Sequence, residues 1–351
     1  MRDVALLLGA ILLGSCEEDP AHVWPGDHIT YVSEPDTDIE PCGGQVAFTD
    51  RLVRHVGETW APGEGSSLAA TLELRSEGTE TASGLATRGS AWAARQSAVV
   101  HEIGHLITFE DDGVSAAVLS EGIAELIDGD GVLQAYRPPP DLADFMHLQR
   151  PEFSAQEYAP AAQLLSFLSR RYGLAAVRDA YRRVGPESFP DEIDDAFVMA
   201  FGDGVFDAFE AFQAEPQCPI LLWQCSDDVV PTVELPFALE LDPRTCGDAD
   251  IPGFTAKGSD DWFPEYLGVL RLSEPRIIGY RVDNAIITRQ QCQDTCTPME
   301  SVPPWTWQFV QEQLGQKEFT SHTRAGDHHV KIRPENPGRP FMVEVVDLGP
   351  A

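Results

Sequence analysis

Basic side chains are scarce in this chain. Its 351 residues carry 24 Lys and Arg against 57 Asp and Glu, a formal net charge of -33 at pH 7. A surface this negative repels DNA, RNA and anionic lipid head groups, which argues against nucleic-acid partners. Two readings of the acidity stay open: a solubilising surface, or attraction of cationic substrates. Long apolar runs are equally scarce. Beyond the first sixteen residues no segment is apolar enough to span a bilayer. Internal repeats and low-complexity tracts are missing too, and the cysteines lack the paired C-x-x-C knuckles of a cysteine zinc cluster. What remains is ordinary for a folded protein. Hydrophobic residues make up 43% and charged residues 23%, and the length suffices for a buried core and for two domains.

The N-terminus, MRDVALLLGAILLGSC, places Arg2 before an apolar run from Val4 to Leu13, then small residues before Cys16. That run is too short for a mature membrane helix and fits the apolar centre of a signal peptide. Its end, Leu13-Gly14-Ser15-Cys16, resembles the lipobox of bacterial lipoproteins, in which the chain is cut before a lipid-bearing cysteine. The resemblance implies a signal peptide over 1–16, a lipid anchor on Cys16, and a soluble remainder tethered at the bacterial cell envelope. Cys42, Cys218, Cys225, Cys246, Cys292 and Cys296 are left. An even number in an exported chain reads as a disulfide framework of up to three pairs. Cys292 and Cys296 enclose a short loop and suggest a local pair. Cys225 with Cys246, and Cys42 with Cys218, are the pairings that complete that set.

Residues 17–41, rich in Pro, Asp and Glu, read as a tether that carries one short strand, HITYVS. Val46, Phe48, Leu52, Val53 and Val56 recur at helical spacing and predict a helix over 45–60. LAATLELR alternates as a strand does, and the Gly/Thr/Ser-rich stretch to Ser90 reads as a loop with an edge strand. A helix is expected from Ala91 to Phe109, stopped by Asp111-Asp112-Gly113, and a second from Ser115 to Ile127. Further helices are expected over 141–149, 154–172 and 174–184, with two more between Pro190 and Gln213. From about Pro216 the character changes. PTVELPFALEL, YLGVLRLS, RIIGYRVD, HHVKIRP and FMVEVVDL are short β-rich runs that predict an antiparallel sandwich.

Chemistry enters with VVHEIGHLITFE, residues 99–110. Residues four apart share a helix face, so His101 and His105 can offer ring nitrogens to one metal ion. Zinc takes such nitrogens at about 2.0–2.1 Å, and a catalytic zinc site has three protein ligands and an open position for water. Glu102, beside the first ligand, is placed to take a proton from that water. Three fixed positions can recur by chance, so the pair needs a third ligand. Asp111 lies ten residues after His101, at the last position of H-E-x-x-H-x-x-G-x-x-D, but Thr108 stands where that pattern has a turn-forming glycine. The other choice is Glu121 in VLSEGIAELI.

Ser120-Glu121-Gly122-Ile123-Ala124-Glu125 resembles the second motif of the gluzincin metallopeptidases, the peptidase MA-like group of thermolysin and the M1 aminopeptidases. The resemblance implies Zn2+ as cofactor, Glu121 as third ligand and Glu125 as the carboxylate that holds the first zinc histidine by its other ring nitrogen. The following segment, EYAPAAQLLSFLSRRYG, resembles the next helix of that group and implies that Tyr158 donates its hydroxyl to the oxyanion. His147 is a rival donor. The likeness spans residues 90–185. No segment resembles G-A-M-E-N, which in M1 aminopeptidases recognises the free amino terminus, so endopeptidase action is the expectation.

The expected fold class is α+β. A mostly helical zincin-like catalytic domain with a small N-terminal α/β part occupies 42–214, and a disulfide-bearing β-sandwich occupies 215–351. The expected function is hydrolysis of a peptide or protein substrate at a zinc site, with Glu102 as general base. The alternative is a surface lipoprotein that keeps zinc without turnover and works through its β domain. The intact Glu102 argues against it, because a structural zinc site has no need of that carboxylate.

Overall fold

Two stretches of alternating apolar residues, ITYVS and ATLEL, put Ile29 and Tyr31, and Leu72 and Leu74, on one buried face each. The computed structural model pairs them side by side. It describes residues 22–34, 37–78, 84–129, 145, 155–214, 220, 222–244, 246, 251–256, 261–292, 309–310 and 318–351. The lipobox with Cys16, the helix expected over 141–149 apart from residue 145, His147, Cys218 and Cys296 lie outside the described residues.

The stretch expected as a tether carries three strands where one was expected: β1 (His22–Trp24), β2 (Ile29–Ser33) and β3 (Ile39–Pro41). Helix α1 (Gln45–Trp60) follows, then β4 (Ala70–Leu74), β5 (Gly84–Thr87) and β6 (Ser90–Ala93). The sheet order is β1-β2-β4-β6-β5. β2, β4 and β6 run parallel, which requires a crossover, and α1 supplies it between β2 and β4. Its Phe48, Leu52, Val53 and Val56 enter the same core as Ile29, Leu72 and Leu74. β5 is antiparallel to β6 and forms an edge.

Helix α2 (Gln96–Asp112) begins five residues later than expected. Ala91 to Ala93 belong to β6, because pairing with β4 outweighs the helix preference of alanine. The helix also ends three residues later, at Asp112, and Gly113 with φ of 78° closes it. After a turn of four residues comes α3 (Ala117–Asp128), then α4 (Ala155–Tyr172), α5 (Leu174–Arg183), α6 (Pro190–Phe201) and α7 (Val205–Ala214). None of the described helices is long and apolar enough to cross a membrane.

Strands then take over: β7 (Thr232–Val233), β8 (Phe237–Leu241), β9 (Phe254–Ala256), β10 (Tyr266–Leu272), β11 (Arg276–Asp283), β12 (Ala285–Gln291), β13 (Phe309–Val310), β14 (Glu318–Thr323), β15 (Gly326–Pro334) and β16 (Phe341–Pro350). They form one sheet of order β13-β12-β15-β10-β7 and another of order β14-β11-β16-β8. Ile287, Val330 and Ile332 of the first share a core with Ile278, Phe341 and Val343 of the second. All pairings are antiparallel except β7 with β10. The chain is α+β.

The strand-rich part is sewn to the front of the chain. β3 pairs with β9, Cys42 is bonded to Cys246, and Gly253 N donates to Gln45 Oε1 at 2.6 Å. Cys225 is bonded to Cys292. These two bridges replace the pairings Cys42–Cys218, Cys225–Cys246 and Cys292–Cys296. Spacing along the chain cannot choose among partners, because bridging depends on Cα atoms coming within about 4.4–6.8 Å in space. Here they stand 5.2 and 6.0 Å apart, across 204 and 67 residues.

The end of α2 is fixed by charge. Arg178 of α5 donates from Nε to Asp112 Oδ2 at 2.7 Å and from Nη2 to Asp112 Oδ1 at 3.0 Å. The same guanidinium meets Glu64 at 2.9 and 3.0 Å, and Trp60 Nε1 donates to Asp112 at 2.7 Å. The Asp112 side chain is wholly buried. Arg178→Ala strands that carboxylate and is expected to lower stability by about 3 kcal/mol in chemical denaturation. Glu64→Gln, which alters only the exposed partner, should cost far less. A loss under about 1 kcal/mol for Arg178→Ala would mean that Trp60 and Arg182, 3.2 Å away, suffice.

Candidate metal centre

Both helices that carry the motifs are buried almost all round. On α2 residues 101–109 are all buried, and on α3 every residue from Ala117 to Ile127 except Glu125. Helices of this kind lie inside a domain, so polar side chains on them need partners within the protein. The loop between them is closed by Ser120, which accepts from Ser115 N at 3.2 Å and donates to Ser115 O at 3.1 Å. Gly122 lets α3 meet α4 closely, since a Cβ there would stand 3.0 Å from Ala161 O.

This packing brings three donor atoms to one place. His101 Nε2 and His105 Nε2 are 3.1 Å apart, and Glu121 Oε2 lies 3.2 Å from the first and 3.1 Å from the second. His105 is fully buried, Glu121 is 2% exposed and His101 8%. Burial disfavours the charge on His101, but hydrogen bonds to Glu121 and Glu125 outweigh it and hold the pKa well above the usual histidine value. Burial likewise opposes ionisation of Glu121, yet the charges and hydrogen bonds of His105 and His101 hold it well below the usual carboxylate range.

The donor set fits zinc. Two imidazole nitrogens and one carboxylate oxygen are the ligand types that it prefers, and atoms bound at about 2.0–2.2 Å around a tetrahedron lie about 3.3 Å apart. Three ligands leave the fourth position open. Among the described residues no other group of three His, Cys, Asp or Glu side chains is disposed to hold a metal. Asp111 is not in the group. Thr108 hydrogen-bonds back to the Gly104 and His105 carbonyls, so α2 continues straight through the position where Asp111 would need a turn.

Three more expected residues surround the group. Glu125 Oε1 lies 3.0 Å from His101 Nδ1, the ring nitrogen that faces away from the cluster. Glu102 is 4% exposed, and its charge adds to the raised pKa of His101. The ring of half-buried Tyr158, in the first turn of α4, stands edge-on to that of His101 with centroids 5.5 Å apart. The chain can therefore hold a cation between three ligands, with a carboxylate and a phenol beside it.

Sequence reasoning missed two neighbours. Phe109 stacks on His105, with centroids 5.0 Å apart and planes at 27°. Its place one turn after His105 was a usable signal. Gly84 of edge strand β5 lies against Glu102, and a Cβ there would come within 2.8 Å of Glu102 Cγ and overlap the carboxylate. Nothing local marks that glycine, because Glu102 reaches it only through the tertiary fold.

No protein-family model matches the chain, and no curated protein matches it by sequence. Two solved structures match it weakly. A two-domain M1 zinc metallopeptidase variant, crystallised with L-arginine, overlaps 58% of this chain and 53% of its own at 18% identity and a TM-score of 0.35. Legionella pneumophila aminopeptidase A, crystallised with aspartic acid, overlaps 92% of this chain at 8% identity and the same TM-score. This chain spans about half the length of the first and 36% of the second.

Proposed function

We propose that this protein is a zinc-dependent endopeptidase tethered to a bacterial envelope through a lipid on Cys16. The observation that carries the reading is the convergence of His101, His105 and Glu121 within 3.2 Å of one another, with Glu102 buried beside them and outside the ligand set. A bound zinc ion would polarise the scissile carbonyl and make a water molecule a stronger acid. The protein's own groups do the rest. Glu102 takes the proton of the attacking water and delivers it to the leaving amine. Tyr158 offers its hydroxyl to the oxyanion. Glu125, with Oε1 3.0 Å from His101 Nδ1, is placed to hold that nitrogen and so favour the tautomer whose Nε2 faces the ion.

Four outcomes are expected. The purified chain should carry one zinc per molecule, and a chelator should abolish cleavage of an unfolded protein and lower the melting temperature until zinc is restored. Glu102→Gln should retain zinc and lose about 10²-fold or more in kcat. Zinc-dependent cleavage that survives this change would sink the mechanism, and zinc without any cleavage in the wild type would favour the non-catalytic lipoprotein. Glu125→Gln should weaken zinc affinity by about 10- to 100-fold in chelator competition, with the fold intact. Cys16→Ser should move the protein from the membrane to the soluble fraction of an expressing bacterium; persistence in the membrane would refute lipid anchoring.

A further inference from the structure

The last turn of α3 carries Glu125 and is held from outside the zinc motifs. A helix end leaves its final carbonyls without partners in the helix. Here Trp223 Nε1 donates to Ile127 O at 2.6 Å, and Gln224 Nε2 approaches Ile127 O at 3.4 Å and Asp128 O at 3.3 Å. Both side chains are 4% exposed, so these bonds are made away from solvent. Gly129 closes the helix with φ of 89° and donates its N–H to Glu125 O at 2.8 Å. The Gln224 amide packs directly against Gly129, where any Cβ would collide with it.

The segment that supplies the clamp is itself anchored on three sides. His55 of α1 bonds Leu222 O at 3.1 Å through Nε2 and meets Ser226 Oγ at 3.4 Å through Nδ1. The Trp223 ring packs edge-on against Phe48 of α1. Cys225 is bonded to Cys292 at the end of β12. The strand-rich part is thus linked to the end of α3 through Cys292, Cys225 and the adjoining Trp223 and Gln224. One turn back along that helix, Glu125 Oε1 stands 3.0 Å from His101 Nδ1.

We infer that Trp223 and Gln224 are positioning residues for the zinc site: by capping the last turn of α3 they hold Glu125 at the angle from which it orients His101. The inference rests on the zinc reading above and gives the strand-rich region a task at the metal centre. A structural clamp alone would affect stability but leave the metal site of the folded protein unchanged.

Zinc affinity of the full chain by chelator competition separates the two. Trp223→Phe keeps the ring and removes only the N–H, and Gln224→Leu keeps most of the volume and removes the amide. Each should weaken zinc binding by at least about threefold in protein that is folded by circular dichroism. Combined with Glu125→Gln, neither should add more than about twofold, because the clamp acts through that carboxylate. Affinity unchanged in both single variants, or effects of full size in the Glu125→Gln background, would overturn the inference while leaving the zinc reading intact. A wild type that binds no zinc would overturn both. Should one variant fail to fold, the other still decides.

Discussion

Two imidazole nitrogens and a carboxylate oxygen held within 3.2 Å of one another in a dry interior are the constraint from which the rest of this structure follows. Two imidazoles and a carboxylate on helices buried almost all round are costly to desolvate unless they satisfy one another or a cation. Their closeness demands that α2 and α3 stay in fixed register. The turn between them is short, Ser120 ties it shut, and the C-terminal end of each helix is fastened separately. Asp112 with Arg178 and Trp60 holds the end of α2, and Trp223 with Gln224 holds the end of α3.

The same demand explains why the two halves of the chain are sewn together. A cap on α3 works only if the capping residues are fixed, and residues 222–226 gain that from α1 through His55 and from β12 through Cys225–Cys292. The β3–β9 pairing and Cys42–Cys246 repeat the joint at the other end of α1. The principal core accordingly extends past the helices to Phe254, Trp262, Leu267 and Val269. The strand-rich part thus forms one wall of the helical part.

How much was legible in advance depended on the range of the physics involved. Helix α1 carries its apolar residues at 3.6-residue spacing over sixteen positions, and the structure places it where that spacing does. Ala91 to Ala93 read as helix because alanine favours helix locally, but β4 offered a parallel partner about twenty residues away. HITYVS was legible as a strand, but β1 and β3 were hidden in a stretch rich in Pro, Asp and Glu, and the partner of β3 is β9, far along the chain. The disulfides were misassigned for the same reason.

The sequence by itself determined the chemistry at the centre. His101, Glu102 and His105 sit within one helical turn and a half, and Glu121 and Glu125 one turn apart on the next helix, so local periodicity suffices to aim them. It also determined the α+β character and the switch from helices to strands. Only the tertiary structure decided which distant groups support that centre: Gly84 against Glu102, Trp223 and Gln224 on the end of α3, and Cys42 with Cys246 across 204 residues. Contacts of that range arise when separate elements pack, and no spacing along the chain encodes them.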